Sequence, residues 1–156
     1  DNKSVTMHYI DRKNGEEEVT YFHPSLKSSL ESTYGEMVYQ EQAMQIAKDI
    51  AGFSMQEADE LRKAIGKKDV ELMAKVEKEF LDKSISANIV PMETAKDIFG
   101  WIRQSQRYAF NKSHAASYGL VGYQTAYAKA HFPVEFFASY LIRIVLTEYT
   151  IPKFII

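Results

Sequence analysis

From Pro24 to Leu141 the apolar residues recur at helical spacing, and caps and stops punctuate the chain between the repeats. No other feature restricts the fold as tightly. Leu26 and Leu30 lie four apart before Gly35, and Val38, Ile46 and Ile50 share a face before Gly52. Ser54 with Glu57 three residues on forms a capping box. Ala58, Leu61 and Ile65 are the stripe behind it, and Gly66 is expected as the left-handed stop. Asp69 caps a segment carrying Leu72, Val76 and Phe80; after the connector "NIVP" come Ala95, Ile98 and Ile102. A helix from about Ser113 to His131 follows, and Pro133 opens a last apolar helix. The pattern predicts a mainly α fold. Only the first 23 residues differ: "VTMHYI" and "EEVTYF" flank Asn14-Gly15, which reads as an irregular or β-hairpin region.

Composition narrows the classes. The 156 residues are 46% hydrophobic and 26% charged, ordinary for a folded domain with a core. No cysteine is present, so disulfides and thiolate metal sites are excluded. No apolar run reaches the roughly 20 residues that span a bilayer, and the polar start lacks a signal peptide's apolar stretch. A soluble, cytoplasmic protein with no membrane partner is the expectation.

The net charge of -2 conceals a division. Residues 1–60 carry 5 Lys/Arg against 12 Asp/Glu, and residues 61–156 carry 14 against 9. A basic half in an acidic chain points to an anionic partner, although solvated lysines produce the same count.

Two basic clusters stand out. In "LRKAIGKK", Arg62, Lys63, Lys67 and Lys68 surround a helix end. Cations there complement the helix dipole for about 0.3–1 kcal/mol each, but four in seven residues exceed what capping needs. A phosphate chain is the matching guest. The second cluster joins Arg103 and Arg107, one turn apart, to Asn111, Lys112, Ser113 and His114 at the mouth of the next helix. Free N–H groups and the positive dipole end favour an anion there. As bland alternatives, Asn111 and Ser113 are caps and His114 is a surface histidine. Tyr118 lies one turn past His114, where a ring can meet a nucleobase, whereas Tyr123 and Tyr127 form a stripe read as core. Walker, HExxH and GxSxG motifs are all missing from the sequence, and the four histidines lack metal-ligand spacing. Neither a catalytic residue nor a metal ligand is assigned.

"YGEMVYQEQAMQIAKDIAGFSMQEADELRKAIGKK" and "FNKSHAASYGLVGYQTAYAKAHFPVEFFASYL" resemble the fingers region of the bacterial DNA polymerase III alpha subunit, a family C replicative polymerase. "YIDRKNGEEEVTYFHPSL" resembles the segment leading into it. The likeness covers roughly residues 9–141, with several long motifs in order. It implies part of a DNA-directed DNA polymerase that extends a primer, with two Mg²⁺ held by palm aspartates outside this chain. By the same resemblance, Arg62, Lys63, Lys67, Lys68, Asn111, Lys112, His114 and Tyr118 bind the incoming dNTP. Arg103 and Arg107 are assigned to the DNA backbone. Implied partners are dNTP, primer-template DNA, the rest of the alpha subunit (palm and thumb), and replisome subunits such as the sliding clamp, reached through other domains. The expected division is a connecting segment 1–23, fingers 24–141 and a divergent tail 142–156.

The sequence departs from the family in places. Lys63 stands where arginine is common, keeping charge but losing the bidentate fork. The stretch between Asp69 and Pro91 is short. The palm motif and the amino-terminal phosphoesterase-like domain are not in these residues, so the chain is expected to be a piece of a longer polypeptide, inactive by itself. The competing reading is a non-catalytic helical protein-interaction module with a solvated basic face.

Overall fold

The computed structural model describes residues 3–67, 69–105 and 108–150, with side chains through residue 146. The chain divides into two units, residues 1–112 and 113–156. The first holds α1 (Val5–Asn14), α2 (Lys27–Leu30), α3 (Gln40–Ala51), α4 (Met55–Lys67), α5 (Val70–Ala87) and α6 (Met92–Ser105). Short 3-10 turns, Pro24–Leu26 and Glu31–Thr33, bracket α2. The second unit contains α7, which starts at the boundary (Lys112–His131), and α8 (Pro133–Thr150). No strand forms among the described residues.

The stripes predicted from spacing become the core of the first unit. Leu26, Leu30, Ile46, Ile50, Leu61, Val76, Phe80, Ile98 and Ile102 are fully buried in one cluster. There α3 packs on α4 and α5, α4 on α5, and α5 on α6. Phe80 is the hinge of this packing, with its ring 5.2 Å from Phe99 and 6.0 Å from Phe53. Burying such a ring contributes about 3 kcal/mol. The capping box forms as read: Ser54 N–H donates to Glu57 at 2.9 Å, and Glu57 N–H to Ser54 Oγ at 3.3 Å. Asp69 accepts from Leu72 N–H at 3.0 Å and starts α5.

Four local expectations are corrected. Residues 5–14 form a helix, not the first strand of a hairpin. Ser4 caps it, and Gly15 at φ 78° ends it in the left-handed conformation. A left-handed Gly after Asn serves a hairpin turn and a helix stop equally well, and here the cap decides. Residues 16–23 are irregular. Arg12 holds them to the body, donating to Glu17 at 2.7 Å, to the Thr20 and Tyr34 carbonyls at 3.3 and 3.1 Å, and pairing with Glu36 at 3.2 Å. Phe22 stacks on Trp101 with centroids 5.5 Å apart.

Gly66 is not a left-handed stop. It lies inside α4, which runs to Lys67, and the turn closes by Asp69 N–H donating to the Ala64 carbonyl at 3.3 Å. Val38 precedes α3 and is only half-buried.

In the second unit Tyr123 and Tyr127 are 69% and 49% exposed, so they are not core. No residue of α7 is buried. Apolar and small residues occur all round this helix, so spacing alone cannot assign an inner face. No described helix is long and apolar enough to cross a membrane.

Candidate nucleotide and nucleic-acid site

The inward stripe of α4, Ala58, Leu61, Ala64 and Ile65, forces Arg62, Lys63 and Lys67 outward near the helix's negative end. Arg62 and Lys63 are already paired. Asp59, one turn back, accepts from Arg62 Nε at 2.9 Å and forms ion pairs with Arg62 Nη2 at 2.8 Å and Lys63 Nζ at 2.9 Å. Lys63 first and Arg62 second hold its carboxyl below the usual range. Any anion that binds Arg62 and Lys63 must compete with that carboxylate. Lys67 makes no ion pair among the described residues and is exposed. Lys68 lies outside the described residues.

Folding brings the end of α6 to this junction. A cleft of about 270 Å³ is lined by Ala64 of α4, Asp69 before α5, Val70, Met73, Ala74 and Glu77 of α5, and Arg103 of α6. Arg103, 55% exposed, donates to Glu77 at 3.1 Å. Arg103 thus reaches the α4–α5 junction, but Arg62, Lys63 and Lys67 do not line this cleft. Arg107 lies outside the described residues.

Beyond α6 the chain crosses the start of α3. Tyr39 and Phe110 form an isolated parallel bridge: Gln40 N–H donates to the Phe110 carbonyl at 3.1 Å, and Phe110 N–H to that of Val38 at 3.3 Å. Asn111 is half-buried and Lys112 exposed. The Lys112 N–H donates to the Glu41 carboxylate, 3.0 and 3.1 Å from its two oxygens, and its ammonium lies 5.7 Å from the Tyr39 ring centre. The first N–H of the helix mouth is therefore capped by a carboxylate. Sequence reasoning missed Glu41, Tyr39, Asp59 and Glu77. Asp59 at i,i+3 and i,i+4 spacing was readable; the Glu41 contact, 71 residues away, was not.

On α7, His114 and Tyr118 meet as their spacing predicts, with ring centres 4.6 Å apart, and Tyr118 is 70% exposed. The larger cavity, about 640 Å³, lies elsewhere in the first unit. Tyr9, Val38, Tyr39, Tyr108 and Phe110 form its apolar walls, and Lys3, Ser4 and Gln104 supply polar groups. None of the residues assigned to nucleotide or DNA lines it. Nowhere among the described residues do three His, Asp or Glu side chains converge as metal ligands. Among the described residues, therefore, no set fits a Mg²⁺ site.

A mainly helical domain that gathers cations at helix ends is the class these features define. The chain belongs to the bacterial DNA polymerase III alpha subunit finger domain family, whose model matches residues 2–88. It is 49% identical over 131 residues to the DNA polymerase III subunit alpha of Halalkalibacterium halodurans, covering 84% of this chain and 12% of that protein. Identity to the Thermus aquaticus subunit is 49% over 138 residues, with 85% and 11% covered. For the Escherichia coli subunit it is 47% over 136 residues, with 84% and 12% covered. The chain spans about a tenth of the length of these curated relatives.

Proposed function

We propose that this chain serves as the fingers of a replicative DNA-directed DNA polymerase, a cytoplasmic nucleotidyltransferase, binding the incoming dNTP and the primer-template end. The observation that carries the reading is the match of residues 2–88 to the finger-domain family. Arg62, Lys63, Lys67, Lys68 and Lys112 neutralise the triphosphate, acting through charge placed before the ligand arrives. Asn111 and His114 supply hydrogen bonds, Tyr118 meets the base or sugar, and Arg103 and Arg107 hold the DNA backbone. Support comes from the cleft that joins Arg103 to the α4–α5 junction. The two Mg²⁺ supply charge neutralisation at the reacting phosphate and are assigned to palm aspartates elsewhere in the polymerase. Residues 24–141 form the fingers, and the palm, thumb and sliding clamp are partners of the whole subunit.

The test is a titration with dNTP and with primer-template DNA between about 50 and about 200 mM salt. Binding is expected to weaken steeply with salt and to vanish when Arg62 and Lys67 are both changed to Glu. Salt-insensitive binding, or binding unaltered in the double variant, would favour a protein-interaction module instead. In the full-length polymerase, Arg62→Ala is expected to raise the KM for dNTP more than it lowers kcat.

A further inference from the structure

We infer that Glu41 is a positioning residue for Lys112, an inference that rests on the assignment of Lys112 to a phosphate. Lysine carries its charge on a flexible four-carbon stem, so an aimed ammonium requires a fixed backbone and a surface along which the stem can lie. Both are present. The Lys112 N–H, one of the unsatisfied donors that open a helix, is held by the Glu41 carboxylate at 3.0 and 3.1 Å. The Tyr39 ring attracts the ammonium from 5.7 Å. Tyr39 and Glu41 flank the first residue of α3, so one helix start sets the backbone and the ring together. Two further main-chain bonds tie Phe110 to Val38 and Gln40, and the Phe110 ring meets Tyr39 edge-on at 6.0 Å. Losing Glu41 alone therefore releases Lys112 and leaves residue 110 anchored. The carboxylate's negative charge opposes a nearby phosphate, so its use here is the hydrogen bond and not the charge. Gln, which retains an acceptor oxygen, separates the two.

The experiment uses the 156-residue chain with Glu41→Ala and Glu41→Gln, reading amide hydrogen exchange and the affinity for inorganic tripolyphosphate at low salt. Glu41→Ala is expected to speed exchange at the Lys112 amide about fivefold, leave Phe110 within about twofold, and weaken tripolyphosphate several-fold. Glu41→Gln is expected to restore the exchange rate and bind tripolyphosphate at least as well as the unaltered chain. Unchanged Lys112 exchange in Glu41→Ala overturns the inference, and so does accelerated exchange with unchanged affinity. Failure of the unaltered chain to bind tripolyphosphate sinks the nucleotide reading instead. In that event the exchange rates alone decide whether Glu41 holds Lys112.

Discussion

Asp59 accepts a hydrogen bond from Arg62 Nε at 2.9 Å, and the Lys63 ammonium pairs with the other oxygen of the same carboxylate at 2.9 Å. The two cations assigned to a triphosphate therefore rest on an internal anion. Removing it with Asp59→Ala is expected to tighten tripolyphosphate binding several-fold while moving the melting temperature little, because exposed ion pairs add little stability. Isothermal titration and a thermal melt on the same samples check both halves. Unchanged or weaker binding would mean that Arg62 and Lys63 do not face the ligand.

Gly66 offers a sharper test of local geometry. It lies within α4, and a Cβ built there meets nothing within 4 Å. Ala in a helix is favoured over Gly, so Gly66→Ala is expected to stabilise the chain by about 0.5–1 kcal/mol in urea unfolding. A left-handed Gly66 would give the opposite sign.

Gly35 is predicted to tolerate no side chain. Its φ is +85°, and a Cβ would lie 2.1 Å from the Thr20 carbonyl oxygen and 3.1 Å from Arg12 Nη1. Gly35→Ala is expected to cost about 2 kcal/mol or more and to loosen residues 16–23, seen as faster proteolysis there. Gly15 has a similar φ of +78° but open space around it, so Gly15→Ala is expected to cost only about 1 kcal/mol.

Acid is expected to destabilise the chain through three depressed carboxyls, Glu17, Glu57 and Asp59, the first two the most strongly shifted. Arg12, then His8, holds the Glu17 carboxyl at about 2, and Lys83 is the main cause that holds Glu57 at about 2. An unfolded glutamate titrates near about 4.3. A group depressed on folding contributes fully above that pH and loses its contribution as pH falls toward its folded value. Burial pushes Glu36 up and so works the other way. Melting temperature should hold between about pH 7 and about pH 5, then fall toward about pH 2. Glu17→Gln should lower the plateau and flatten the fall. A Glu17→Gln curve parallel to that of the unaltered chain would show that the Arg12–Glu17 pair is not involved.

The helical register from α2 to α6 was legible because the signals are local. Leu61 and Ile65, or Val76 and Phe80, reach the core by being four residues apart on one helix, and Ser54 caps by being three residues from Glu57. The same locality let His114 and Tyr118 be paired. Readings failed where one local signal serves two structures. Asn14-Gly15 suits a hairpin or a helix end, and Gly66 suits a stop or an open helical turn.

By itself the sequence settled which residues turn inward along α2 to α6, and that Arg62 and Lys63 turn outward, because a 3.6-residue period decides both. Only the tertiary structure decided that Arg103 shares a cleft with Ala64 and Asp69, and that Glu41 meets Lys112. Such contacts join residues tens of positions apart. Their partners are chosen by how the helices pack around Phe80, and no short stretch of chain encodes that choice.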